Sequence, residues 1–236
     1  MGAGRNAHGR RAAAQGPARP PAGTRAPSGG PGRPVNRLAP TGSRGEDPGM
    51  HPTDPYLTTA RLALRPFADT EADLDLVVAL DSDPEVMRYI TGGRPMTRAE
   101  IRAESFQRML RGGFWATHLR ATGEFLGWHC LQPDAESPAP SADLGYRLRK
   151  AAWGRGFATE GALALIAKGF GELGYDRITA NTMSVNTGSR HVMEKCGLSY
   201  TRTYYEEWPH PVAGDEHGDV EYVLTREEWS TRRQAG

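Results

Sequence analysis

The stretch Trp153-Gly154-Arg155-Gly156-Phe157-Ala158-Thr159 sets two glycines directly ahead of an apolar-periodic run, Ala162, Leu165, Ile166, Gly169, Phe170 and Leu173, that closes at Gly174. The run recurs at i, i+3, i+4, i+7, i+8 and i+11, the period of an amphipathic helix with a glycine at its C′ position. Glycine has no Cβ, so the backbone ahead of this helix can turn sharply and approach a ligand closely. The unpaired amides of the first helical turn and the positive end of the helix dipole attract an anion to the same place. The spacing predicts a phosphate-holding loop over Gly154–Thr159. A short glycine loop also reads as a plain turn, so its flanks must decide.

Downstream, Asn186-Thr187-Gly188-Ser189-Arg190-His191-Val192-Met193-Glu194-Lys195-Cys196-Gly197 is a second loop-to-helix segment ending in glycine, and Arg177 to Thr182 between the two reads as a strand. Upstream, Asp143 to Leu148 is a strand feeding the glycine loop, preceded by a Pro/Ser-rich loop over 133–142. Further back, Phe114 to Arg120 and Glu124 to Gln132 form a hairpin about Ala121-Thr122-Gly123. Thr97 with Glu100 makes a capping box for a helix carrying Ile101, Phe106, Met109 and Leu110. A strand over 57–67, a helix over 70–80 and a further helical turn from Val86 to Ile90 come first; strands over 198–205 and 220–224 come last. An antiparallel first half followed by a βα unit predicts a mixed, mostly antiparallel sheet flanked by helices, an α/β fold.

Composition divides the chain. Residues 1–50 hold 8 Pro and 11 Gly, with 8 Arg against only Glu46 and Asp47 and no apolar period. Such a segment buries too little apolar surface to offset its ordering entropy. Residues 1–53 are therefore expected to be a disordered Pro/Gly/Arg-rich tail and residues 54–236 the folded domain, with Met50 a candidate start of translation. Residues 51–236 carry 21 basic and 26 acidic side chains, without a Lys/Arg stripe interleaved with aromatics, so no specific nucleic-acid partner is expected. No run approaches about 18 apolar residues, and Arg10-Arg11 is not followed by the apolar region an export signal needs. No membrane association is expected. Cys130 and Cys196 are too few for a disulfide framework, no metal site is expected, and a cytoplasmic protein fits.

Loop, helix, strand, loop and helix in this order resemble the acetyl-CoA-binding half of GNAT N-acetyltransferases. W-G-R-G-F-A-T-E followed by N-x-x-S-x-x-V-M-E-K-C-G is similar to the ribosomal-protein acetyltransferase (RimJ/RimL-like) branch. The resemblance spans about residues 55–229, its specific motifs 143–197. It implies the acyl-CoA N-acyltransferase fold, acetyl-CoA as co-substrate and transfer to a primary amine, either a protein N-terminus or a small molecule. It leaves a homodimer open. By that resemblance the strand bearing Tyr146 and Leu148 offers backbone groups to the pantetheine amides. Gly154, Arg155, Gly156, Phe157, Ala158 and Thr159 hold the pyrophosphate, with Asn186 and Ser189 on the second loop. Arg155 is read either as a phosphate partner or as a solvated charge, and Trp153 as a packing aromatic.

Acetyl transfer needs a neutral amine, a polarised thioester carbonyl and a donor to the departing thiolate. Many relatives place a Tyr seven residues after the Asn; here Met193 stands there and cannot donate. Ser189 occupies the position that lies beside the thioester sulfur in RimL-like relatives and is assigned that hydrogen bond, against the plainer reading of a first-turn serine satisfying backbone amides. For the base, Asp143 matches an acidic residue of that branch and His129 is the alternative, each also readable as structural. Glu160 is read as complementing the helix dipole. The acidic stretch Tyr204 to His210 with Asp215, Glu216, Asp219 and Glu221 favours a cationic acceptor, or is a solvated loop. A non-catalytic acyl-CoA-binding sensor is the competing reading. A dinucleotide-binding unit is set aside, because Thr159 stands where G-x-G-x-x-G needs its third glycine.

Overall fold

The computed structural model of the chain describes residues 54–205 and 211–234. Eight strands form one sheet in the order β1-β2-β3-β4-β5-β6-β8-β7. They are β1 Leu57–Thr58, β2 Leu62–Pro66, β3 Phe114–Leu119, β4 Phe125–Pro133, β5 Ser141–Leu148, β6 Arg177–Met183, β7 Ser199–Tyr204 and β8 Asp219–Thr225. All neighbours run antiparallel except β5 and β6, which the helix α4, Phe157–Gly171, joins by a crossover. This is the expected mixed sheet. One face packs on α1 (Glu71–Asp81), α2 (Arg98–Ile101) and α3 (Gln107–Leu110): Leu74, Leu80, Ile101 and Phe106 meet Phe114 and Trp128. The other packs on α4 and α5 (Thr187–Lys195): Leu165, Phe170 and Met193 meet Leu64, Leu144 and Ile178.

Gly127 carries a bulge that sets which side chains of β4 meet which layer. Its φ is 138°, and a Cβ there would lie 2.1 Å from the Arg147 carbonyl oxygen. Leu126 packs on the α4 face while Trp128 and Cys130 pack on the α1 face, so strict alternation is broken by one residue.

Several local expectations change. The expected strand 57–67 is two strands, because Thr59 Oγ1 accepts the Leu62 N–H and turns the chain. The expected helical turn at 86–90 is a series of hydrogen-bonded turns over 84–93, ended by Gly92 and Gly93 at positive φ. A π-helical turn, Arg102–Phe106, separates α2 from α3. A C-terminal helix, α6 Arg226–Gln234, was not expected, for it lacks an apolar period. Its cap was legible: Thr225-Arg226-Glu227-Glu228 is an S/T-x-x-E box, and Thr225 and Glu228 exchange side-chain-to-backbone bonds of 3.2 and 2.8 Å. The expected tail, Met50 and residues 206–210 of the acidic stretch lie outside the described residues.

Candidate active site

The β5–β6 ladder consists of three pairs, Ser141↔Arg177, Ala142↔Ile178 and Asp143↔Thr179, although the strands run on to Leu148 and Met183. Beyond Asp143, β5 stays registered on β4 as far as Leu148 and β6 on β8 as far as Met183, and the two halves of the sheet part. Backbone groups alternate along a strand, and the Arg149 N–H points toward β4, onto the Leu126 oxygen at 2.8 Å. Those of Tyr146 and Leu148 therefore face the gap. The gap is a cavity of about 480 Å³. Of the ten residues expected to hold the cofactor, nine line it: Tyr146, Leu148, Gly154, Gly156, Phe157, Ala158, Thr159, Asn186 and Ser189. Arg155 does not. Glu85, Val86, Arg88, Tyr89, Ile90 and Arg147 also line it.

Gly154 and Gly156 adopt φ of 69° and 79°, which a side chain rarely tolerates. Gly156 is the N-cap of α4 and supplies no side-chain cap. The helical ladder opens with the Glu160 N–H on the Gly156 oxygen at 3.0 Å, so the amides of Phe157, Ala158 and Thr159 precede it. Here the chain concentrates donors and positive dipole on a cavity wall. Trp153 is 46% exposed, and its Nε1 donates to the Leu148 oxygen at 2.7 Å, tying the loop back to β5.

Arg61 completes the loop and has no signal in the local sequence. Its guanidinium lies 4.5 Å from the centre of the Phe157 ring, with Arg155 at 4.8 Å from the same ring. Arg61 Nη1 donates to the Arg155 oxygen at 3.0 Å. Glu160 holds it in place, accepting from Arg61 Nε at 2.6 Å and from its backbone N–H at 2.8 Å. Partial burial alone would raise the Glu160 carboxyl, but hydrogen bonds from Thr59 and Arg61 outweigh it and hold the group below its ordinary value. Glu160 thus anchors the arginine that braces the loop.

Asn186 caps α5, its Oδ1 accepting the Ser189 N–H at 3.2 Å. That fixes Ser189 in the first helical turn. Ser189 Oγ lies 3.1 Å from Tyr146 OH, which also donates to the Ser189 carbonyl oxygen at 2.9 Å. Burial pushes the Tyr146 phenol well above its ordinary value, so it keeps its proton at neutral pH. The gap therefore holds two adjoining hydroxyls. Met193 is buried in the core.

The two candidate bases are bonded elsewhere, although His129 faces Tyr146 across the β4–β5 ladder with ring centroids 6.2 Å apart. Asp143 sits at the last paired position of the ladder, accepts the Thr179 hydroxyl and does not line the cavity. As an odd-numbered residue of β5 it shares a face with Arg147 rather than with Tyr146. His129 is fully buried, with Nδ1 2.8 Å from Thr117 Oγ1 and Nε2 3.2 Å from the Ala158 oxygen. Burial depresses its pKa to about 4, so the ring is neutral and supports the first turn of α4. Of the acidic stretch, Glu221 is taken up by Arg177 and Arg202, Asp215 accepts the Val212 N–H, and none of Asp215, Glu216, Asp219 and Glu221 lines the cavity.

Residues 61–199 match the model of the acetyltransferase (GNAT) domain. The chain is 36% identical over 185 residues to the FsC-acetyl coenzyme A-N(2)-transacetylase of Aspergillus fumigatus, covering 74% of this chain and 78% of that one. A GNAT-family acetyltransferase from Bacillus anthracis superposes with a TM-score of 0.61 at 24% identity, over 72% of this chain and 98% of that one. Spermidine N-acetyltransferase from Vibrio cholerae, solved in complex with CoA and spermine, superposes at 0.60 with 16% identity, over 73% and 99%. The chain belongs to the GNAT acetyltransferase family, and it is an acyltransferase. Acetyl-CoA as co-substrate fits both the family and the glycine-lined wall of the cavity. Among the described residues no helix is long and apolar enough to cross a membrane.

Proposed function

We propose that the protein is an N-acetyltransferase that moves acetyl from acetyl-CoA to a primary amine, a protein N-terminus or a small molecule, by direct attack on the thioester. The resemblance of its motif run supports a RimJ/RimL-like reading within the family. The observation that carries this reading is the parted β5–β6 pair, with the Gly154–Thr159 amides on its wall and the Ser189–Tyr146 hydroxyls beside them. The Aspergillus fumigatus relative, named for transfer from acetyl coenzyme A to an N(2) nitrogen, supports the same chemistry.

In this reading the loop amides take the pyrophosphate, and the gap-facing backbone groups of Tyr146 and Leu148 take the pantetheine amides. Ser189 Oγ–H donates to sulfur as negative charge develops there, and Tyr146 positions Ser189. Asp143 and His129 are engaged elsewhere, so the amine gives up its proton to solvent rather than to either side chain. The test is thiol release from acetyl-CoA by the purified chain against a panel of peptides and amines. Amine-dependent CoA release is expected. Tight acetyl-CoA binding without release by any amine would leave the sensor reading in place. Cys130 and Cys196 do not interfere with the readout, since burial pushes both thiols up to about 12.

A further inference from the structure

Arg147 is 5% exposed, lines the cavity from the α1 side of β5, and pairs with the fully buried Asp81 at the end of α1 through Nη1 to Oδ1 at 2.6 Å. The pairing is end-on. Among the described residues Arg147 Nε and Nη2 find no acceptor, and neither does the buried Trp128 Nε1. The Trp128 ring lies against the guanidinium, 5.1 Å from centroid to Cζ. Nε and Nη2 form one edge of the guanidinium, the fork that grips a carboxylate through two parallel bonds, and Nη1 lies away from that edge. A buried donor without an acceptor is costly to a fold, so a fork edge with two such donors on a cavity wall is suited to an acceptor supplied from outside the chain.

We propose that Arg147 is a specificity-determining residue whose Nε/Nη2 edge holds a carboxylate carried by the amine acceptor. The inference rests on the N-acetyltransferase reading and names its substrate class: an amine bearing a carboxylate. The charges nearby allow it. Asp81 neutralises one cation, and Arg108 adds another within electrostatic range of both Arg147 and Asp81. The second carboxylate of this face, Asp143, is bonded to Thr179. Asp81 bonds Nη1 through Oδ1, and its Oδ2 makes no hydrogen bond to the fork edge. The fork is sealed from solvent, and the wall beside it is the turn segment Glu85–Ile90, whose backbone bonds close among residues 83–94. Val86, Met87 and Ile90 of that segment are buried in the core, so the inference requires it to yield enough to admit the carboxylate.

The test uses the full chain, acetyl-CoA and matched amines with and without a carboxylate: L-lysine against cadaverine, L-alanine against ethylamine, and a tripeptide against its C-terminal amide. In each pair that is acetylated, the carboxylate form is expected to have a kcat/KM higher by roughly tenfold or more, because a site built to hydrogen-bond a group rejects the analogue lacking it. Arg147→Lys keeps the charge beside Asp81 but loses the fork, and should bring the ratio to within about threefold, mainly through KM. Asp81→Asn keeps the fork and should keep the preference, which covers the case in which the Arg147 variant fails to fold. Equal rates for both members of each pair in the parent, or an unchanged ratio in Arg147→Lys, overturn the inference while leaving the acetyltransferase reading intact. Acetylation of no amine at all overturns that reading, and this inference with it.

Discussion

Tyr146 OH lies 2.9 Å from the carbonyl oxygen of Ser189 and 3.1 Å from its Oγ, joining β5 to the first turn of α5 across 43 residues of chain. The contact bridges the gap where β5 and β6 part, so one phenol positions the only hydroxyl that the Asn186 cap delivers from α5 to the cavity wall among the described residues. Ser189→Ala should lower turnover on the order of a hundredfold and Tyr146→Phe by about tenfold, with acetyl-CoA affinity nearly unchanged, because a bond that strengthens on the departing sulfur acts in the transition state. Steady-state kinetics and calorimetry on both variants check this. Equal losses in affinity and turnover would mean that Ser189 only binds.

Gly156→Val should abolish tight acetyl-CoA binding. At φ 79° a β-branched residue is strained, and its side chain would meet Arg61 Nη2, which lies 3.4 Å from a Cβ there. Titration calorimetry decides it. Arg61→Ala should weaken binding more mildly, by loosening the brace while leaving the amides in place.

Asp143→Asn should leave the pH dependence of kcat/KM where it is in the parent. The carboxylate is engaged by Thr179 and sits on the face opposite Tyr146, so no proton passes through it. Superimposable profiles are expected, with a lower thermal midpoint in the variant. Loss of a limb would restore Asp143 as the base.

Stability should fall as pH drops from about 6.5 to about 4. The folded value of His129 is about 4 against an ordinary 6.5, so within this window the unfolded chain binds a proton that the folded chain does not. Protonation therefore favours unfolding, by on the order of 3 kcal/mol once complete. His129→Gln should flatten the slope of the thermal midpoint against pH in that window, and parallel slopes would remove His129 as its source.

A chain beginning at Met50 should match the full-length protein in acetyl-CoA affinity and, to about one degree, in thermal midpoint, if residues 1–49 make few native contacts. A drop of several degrees would show that they dock. Intact-mass measurement on the native protein decides where translation starts.

The parts of the site built from neighbours in the chain were legible in the residues. Gly154 and Gly156 ahead of an apolar period announced a tight turn and exposed amides at a helix start, and the run from Asn186 to Gly197 announced a second loop-to-helix segment, because φ constraints and helical period act over a few residues. The capping box at Thr225 and Glu228 is equally local, but α6 has no apolar face to mark a helix behind it. Which partners meet across the fold was decided by tertiary packing. Arg61 lies 99 residues from Glu160, Arg147 lies 66 from Asp81, and Tyr146 lies 43 from Ser189. The bulge at Gly127 and the parting of β5 from β6 set those distances. A one-residue change of register turns a side chain to the opposite face of a sheet, so Asp143 stands on the face away from Tyr146. His129 pairs across the ladder with Tyr146, ring centroids 6.2 Å apart, but is buried with both ring nitrogens engaged by Thr117 and Ala158, partners that its own neighbours in the chain do not encode.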